Sequence, residues 1–139
     1  MYIIKLTIDG NPIPLQRHRK SKNGGYYDPS GNDKKDFILK CLQQHKKYSC
    51  EGIVSASLRF YVKRPKSHYR TGNYSNQLKT NAPIYCIKKP DLDNYIKFVK
   101  DALEGIYYKN DSQIAIIHES FKIYSDKPRT EITFYLHDN

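Results

Sequence analysis

Four stretches of the chain alternate apolar and polar residues as half-buried strands do. Ile4, Leu6 and Ile8 alternate with Lys5 and Thr7. Val54, Ala56, Leu58, Phe60 and Val62 alternate with Ser55, Ser57, Arg59 and Tyr61. Ile114 to Ile123 is apolar but changes phase near Ile116-Ile117, which predicts a bulge. Ile132, Phe134 and Leu136 mark a last strand. Two further segments carry the helical period. Asp33 to about Lys47 aligns Phe37, Ile38, Cys41, Leu42 and His45. Asn94 to about Ile106 aligns Tyr95, Phe98, Val99, Ala102, Leu103 and Ile106, with Gly105 where the helix would stop. The order strand, helix, strand, helix, strand, strand predicts an α+β fold. Residues 1–139 form a single domain, a mixed β-sheet covered by two main helices.

Two stretches follow neither period. Asn11 to Ser30 carries Arg17, His18, Arg19, Lys20 and Lys22, then Gly24-Gly25, read as a turn, and Tyr26-Tyr27. Lys63 to Lys89 holds Lys63, Arg64, Lys66, Arg70, Lys79, Lys88 and Lys89 with Tyr69, Tyr74 and Tyr85, and no acid. A loop this long is usually functional or disordered. Cations interleaved with tyrosines suit phosphate contact and base stacking, so Arg17, Arg19, Lys20, Lys22, Lys63, Arg64, Lys66, Arg70, Lys88 and Lys89 are the candidate nucleic-acid contacts.

Charge sharpens this picture. The 24 Lys and Arg outnumber the 14 Asp and Glu, for a net charge of +10, which favours a polyanionic partner. Asp91 to Asp111 runs against the trend, with five acids and three lysines. Carboxylates repel phosphate unless a cation lies between them, so an acidic island in a basic body points to divalent metal between protein and substrate. No stretch approaches the roughly 18 apolar residues of a membrane span. The N-terminus brings in Lys5 and Asp9 too early for a signal peptide, so a cytoplasmic protein without membrane attachment is expected. The odd count of three cysteines, without a CxxC pair, argues against a disulfide framework or a sulfur metal site, and Cys41 reads as a small buried helix residue.

The candidate chemistry lies in Lys89-Pro-Asp-Leu-Asp-Asn-Tyr-Ile-Lys97. Asp93 caps the following helix or begins its first turn. If Asp91 is still extended there, the two carboxylates converge. Lys97 and Asp101 follow at one-turn spacing on the polar face. Lys97 reaches back toward the acids, and Asp101 pairs with it or supports it from behind. Asp111 returns to the same place if the next strand runs back along the helix. Asp91, Asp93 and Asp111 then offer oxygen ligands to Mg²⁺, one ion or two, and Lys97 stabilises developing negative charge or orients water. An Asp-x-Asp alone also occurs in calcium loops and ordinary helix caps. The lysine one turn on and the third acid add weight. Among the histidines, His18 reads as a contact to phosphate or to nothing rather than to metal, and His45 as a packed border residue. His118, beside Glu119 in a strand, is weighed as a neighbour of the site and reads more readily as an ordinary strand residue, while His68 and His137 are surface positions. Lys122 is left between DNA contact and an undefined strand phase.

The block Lys89-Pro-Asp-Leu-Asp-Asn, Lys97, Asp101-Ala-Leu-Glu-Gly and Asn110-Asp-Ser-Gln-Ile resembles the signature of the RusA family of Holliday-junction resolvases. Ile8-Asp-Gly-Asn-Pro-Ile-Pro-Leu-Gln-Arg-His-Arg and Tyr27-Asp-Pro resemble its N-terminal segment. The resemblance implies a homodimeric, Mg²⁺-dependent endodeoxyribonuclease, with Mn²⁺ as substitute, that cuts four-way DNA junctions by paired nicks in recombination and repair. It implies catalytic Asp91, Asp93 and Asp111, an essential Lys97, and a bacterial, phage or prophage origin. A two-fold substrate suits a two-fold dimer. Asn110 stands where many members carry a second acid. Two rival readings are a catalytically silent protein binding branched or single-stranded DNA, and a nuclease for flaps or other branched forms.

Overall fold

The computed structural model describes residues 1–138. The strands are β1 (Tyr2–Asp9), β2 (Arg19–Lys20), β3 (Tyr26–Tyr27), β4 (Ile53–Lys63), β5 (Ile114–Ile117), β6 (Phe121–Ser125) and β7 (Arg129–His137). The helices are α1 (Gly31–Gln44) and α2 (Leu92–Leu103). The main sheet runs β1-β7-β4-β5, with β6 also paired to β4. β7 is antiparallel to both β1 and β4, whereas β5 and β6 run parallel to β4, so the sheet is mixed. This is the α+β architecture expected from the patterning.

The alternation sets which face is inside. Ile4, Leu6 and Ile8 of β1, Val54, Ala56, Leu58 and Phe60 of β4, and Ile132, Phe134 and Leu136 of β7 enter one core. Against it α1 lays Phe37 and Cys41, and α2 lays Tyr95, Phe98, Val99, Ala102 and Leu103. Phe60 stacks on Tyr95 at 5.2 Å, and Phe37 meets Phe98 edge-on at 5.4 Å. Each such buried side chain contributes about 1.5–3 kcal/mol over exposure, which makes α2 a rigid mount for its polar face. Burial pushes the Cys41 thiol up to about 12, as suits an inert core residue.

α2 stops at Leu103 because Glu104 turns extended and Gly105 adopts φ 82°, a left-handed conformation that favours glycine. The turn sends Tyr107 and Tyr108 back inside, where they serve the helix ends. Tyr107 Oη donates to the carbonyls of His45 (2.8 Å) and Cys41 (3.2 Å) at the end of α1. Tyr108 Oη donates to the Lys100 carbonyl (2.7 Å) in the last turn of α2. The His45 and Lys100 carbonyls at the two helix C-termini gain partners in this way, while the Cys41 carbonyl already accepts the His45 N–H at 3.0 Å.

Four expectations change. The apolar run from Ile114 to Ile123 is two strands rather than one bulged strand. His118 to Ser120 leave the sheet, and the Ser120 hydroxyl accepts the Leu58 N–H at 3.0 Å. A register shift does fall on β5, close to the expected phase change: Val54 pairs with Ile114 but Ser55 with Ile116, which leaves Ala115 as the extra residue. The aperiodic Asn11–Ser30 stretch contains a small hairpin, with Arg19 opposite Tyr27 and Lys20 opposite Tyr26. The Lys63–Lys89 stretch is a folded arm: Tyr69 bridges Leu78, Arg70 N–H donates to the Gln77 carbonyl at 2.8 Å, and Arg64 donates to the Pro83 carbonyl at 2.7 Å. Two histidines read as surface residues are half-buried, His68 edge-on against Tyr124 at 4.6 Å and His137 within β7. His45 is half-buried at the end of α1, and Gly24 turns the hairpin with φ 87°.

Candidate active site

Asp91 is the residue before α2, with φ −66° and ψ 151°, an extended conformation. Its carboxylate makes no hydrogen bond that caps the helix, so its oxygens stay free. Asp93 lies in the first turn, where the helix dipole favours a negative charge. Lys97, one turn later, places Nζ 3.4 Å from Asp93 Oδ2. Both side chains are well exposed, so this pair contributes little to stability and stays available.

Asp101 is held otherwise than expected. It pairs with Lys34 of α1 rather than with Lys97. Lys34 Nζ also lies 2.5 Å from Asp28 Oδ2, just after the basic hairpin. Burial opposes the Lys34 charge, but hydrogen bonds to Asp101 and Asp28 outweigh it and raise its pKa. The Lys34 hydrogen bond is the chief cause holding the Asp28 carboxyl below its ordinary range. The chain before the hairpin is also tied to α2, because Leu15 N–H donates to the Asn94 carbonyl at 3.0 Å.

Asp111 opens a short 3₁₀ turn (Asp111–Gln113) that is locked on both sides. Asn110 Oδ1 accepts from Ser112 N–H (2.9 Å), and Gln113 Oε1 accepts from Asn110 N–H (2.8 Å), a reciprocal capping box. Gln113 Nε2 donates to the carbonyls of Cys50 (2.9 Å) and Gly52 (2.8 Å), fixing the turn to the start of β4. Asn110, where an acid was expected, thus has a structural task. Asp111 lines one cleft with Leu15, Lys97, Lys100 and Asp101. Burial first, then the charges of Asp111, Glu104 and Asp101, push the Tyr108 hydroxyl far up, so it stays protonated beneath this cleft.

The acids therefore stand in two groups joined by Lys97: Asp93 beside it at the start of α2, and Asp101 and Asp111 around the cleft it lines. Among the described residues, no three acidic, histidine or cysteine side chains stand close enough together to hold a metal ion as they lie. The donors are nonetheless of the right kind. Carboxylate oxygens near solvent suit a hard divalent ion that keeps waters in its shell, and Asp91 carries no internal hydrogen bond at its helix end.

Of the candidate DNA contacts, Arg17, Arg19, Lys20, Lys22, Lys63, Lys66, Arg70, Lys88 and Lys89 are exposed. Arg64 is largely engaged within the arm, lying over the Tyr124 ring at 5.5 Å and bonded to Pro83. Arg70 stacks on Tyr74 at 4.3 Å. His18 is exposed, 4.0 Å from Asp28. His118 follows β5 and packs edge-on against Tyr135 at 5.5 Å, with nothing tying it to the acids. Sequence reasoning missed two residues that brace the surroundings of the candidate acids, Gln113 and Lys34. Gln113 was findable, since Asn110-x-x-Gln113 has capping-box spacing. Lys34 has no local pattern to mark it out, since its partners Asp28 and Asp101 lie on other segments.

A small α+β protein with carboxylates at a helix start, a lysine among them and basic segments on either side in sequence belongs among enzymes acting on nucleic acid. The particular family follows from comparison: a model described as Endodeoxyribonuclease RusA matches residues 9–135, and the chain belongs to that family. It is also 36% identical to "Uncharacterized protein YqaN" of Bacillus subtilis (strain 168) over 140 residues, covering 95% of each chain. No helix among the described residues is long and apolar enough to cross a membrane.

Proposed function

We propose that this protein is a divalent-metal-dependent endonuclease that resolves four-way DNA junctions by paired symmetric nicks, acting as a homodimer. The observation that carries the reading is Lys97, which pairs with Asp93 and lines a cleft with Asp111 on the rigid face of α2. Membership of an endodeoxyribonuclease family supports it. Asp91, Asp93 and Asp111 would hold the metal, Mg²⁺ or Mn²⁺, once drawn closer together than they lie here. When bound, the ion supplies charge neutralisation at the scissile phosphate. The Lys97 ammonium stabilises negative charge that develops as the phosphodiester is cut. The exposed cations of the hairpin and arm bind the DNA backbone and set its direction across the acids. Paired nicks need two such sites about a two-fold axis, which a dimer supplies.

The test is a nicking assay on a synthetic four-way junction, a flap and a linear duplex over a Mg²⁺ series. Junction cleavage is expected to exceed duplex cleavage. Asp93→Asn is expected to abolish nicking while keeping junction affinity, because it removes a ligand and leaves the basic surface intact. Absence of nicking across salt and pH would refute the enzyme, and stronger cutting of flaps would move the substrate. Asn110 was the feature favouring a silent binder. Its side-chain oxygen accepts the Ser112 N–H and so shapes the turn that carries Asp111.

A further inference from the structure

Lys122 is a basic residue to which the proposed nuclease chemistry gives no task. It lies on β6 in register with Phe60 of β4, with its side chain partly buried. Its Nζ donates to the carbonyl oxygens of Lys88 (2.5 Å) and Pro90 (2.7 Å). Its own carbonyl accepts the Cys86 N–H at 3.1 Å. One residue thus grips the end of the arm through main chain and side chain together. Beyond this grip the stretch has only the buried Cys86 thiol, 3.7 Å from the Lys88 carbonyl, for Ile87 is 93% exposed and Lys88 and Lys89 are exposed as well.

The position of the grip matters. The Pro90 carbonyl belongs to the peptide unit whose nitrogen is that of Asp91. Peptide units are planar, so fixing that oxygen fixes the plane from which Asp91 departs. Asp91 has no capping bond to the helix to hold its carboxylate. The other end of the site is held firmly by the capping box and by Gln113, so Lys122 is the matching restraint on the Asp91 limb.

We propose that Lys122 is a positioning residue, which pins the Lys88–Pro90 turn so that Asp91 is presented at the start of α2, and thereby sets the affinity of the acidic site for a divalent cation. The inference rests on reading Asp91 as a metal ligand. Two of the three ammonium donors are already engaged by carbonyls, which leaves a single donor for any direct phosphate contact.

The test compares wild type, Lys122→Met and Lys122→Arg by Mn²⁺ titration followed by electron paramagnetic resonance. Lys122→Met is expected to weaken Mn²⁺ binding about ten-fold, the lower end of what loss of a ligand-orienting partner costs. Lys122→Arg, whose fork can reach both carbonyls, is expected to restore most of that loss. Amide exchange in residues 86–93 is expected to quicken in the methionine variant, while junction affinity in EDTA stays at the wild-type value. Should Lys122→Met fail to fold, Lys122→Gln, which reaches one carbonyl, is expected to show a smaller loss in the same titration. Unchanged Mn²⁺ affinity, or lost junction affinity in EDTA with intact Mn²⁺ binding, overturns the proposal, and so does a wild type that binds no Mn²⁺. A wild type that binds Mn²⁺ yet nicks no junction refutes the nuclease reading alone. The positioning claim then still stands or falls on the ratio of affinities.

Discussion

The two aperiodic segments, Asn11–Ser30 and Lys63–Lys89, are alike in composition, both basic and rich in tyrosine, yet they are built into the molecule in different ways. The first is fastened to the face of α2. Leu15 bonds to Asn94, and Lys34 joins Asp28 to Asp101. Its cationic tip, Arg19–Lys20 against Tyr26–Tyr27, is a two-stranded hairpin with all four residues exposed. The second folds mainly on itself, through Tyr69–Leu78, Arg70–Gln77 and Arg64–Pro83, and is held to β6 by Lys122 and Tyr124 N–H, which donates to the Ile84 carbonyl at 2.9 Å. One segment is tied to the helix flank bearing Asp101, and the other runs directly into Asp91. The lesson is that basic composition marks where polyanion contact is expected, whereas the fastening decides which acid each contact can influence.

The sharpest way to break this comparison is to strip the hairpin of charge. Replacing Arg17, Arg19, Lys20 and Lys22 with alanine is expected to weaken junction binding and flatten its salt dependence. The slope should fall by about 0.9 for each DNA phosphate that the variant no longer neutralises, read from affinities between low and moderate salt. Equal weakening on replacing Lys63, Lys66, Lys88 and Lys89 would show the two segments to be interchangeable. An unchanged slope in the hairpin variant would remove its DNA role.

A smaller effect is expected at the joint. Lys34→Met leaves Asp28 and Asp101 without their shared cation and should cost about 1–2 kcal/mol of stability, since both acids keep access to water. Thermal unfolding against pH checks the assignment. Asp28 titrates below its ordinary value in the fold, so its share of the stability is present above pH about 4 and is lost as pH falls through the folded value. The Lys34 pKa is raised, so its share is present below pH about 10.4 and is lost as pH rises through the folded value. The gap between wild type and Lys34→Met should therefore be widest at neutral pH and narrow at both extremes. A gap that is flat across pH would assign the loss to packing of the lysine stem.

The smallest effect is expected in the arm. Tyr74→Ala removes the exposed ring over which Arg70 lies, an interaction contributing about 0.5–1 kcal/mol. Global stability should change little, with faster amide exchange confined to residues 69–78. Spread of faster exchange into α2 would show that the arm is coupled to the helix more tightly than its bonds suggest.

Much of the architecture was legible in the sequence. Period-two alternation identified β1, β4 and β7, and the stripe from Tyr95 to Leu103 identified α2, because burial of one face imposes a local repeat. The helix starts earlier than the stripe implied, at Leu92, since its first turn is polar and carries Asp93. The β5–β6 break was not legible. Both pieces are apolar, and the three residues between them leave the sheet to place Ser120 against β4. The acids at the start of α2 and the lysine one turn on could be picked out from spacing alone. Spacing said nothing of Lys34, whose partners Asp28 and Asp101 lie on other segments.

What the chain determined by itself, then, is whatever repeats over a few residues: strand faces, helix faces, the Asp-x-Asp before a helix, and the capping box that shapes the Asp111 turn. Tertiary structure alone decided the partners. Lys34 meets Asp101 across 67 residues, and Lys122 meets the Lys88 carbonyl across 34. Local steric and hydrogen-bond preferences act through neighbouring dihedrals and so leave a mark in the order of residues. Apart from one-turn pairs such as Lys97 with Asp93, which cation meets which acid depends on how distant segments pack against a shared core, and no local pattern encodes that.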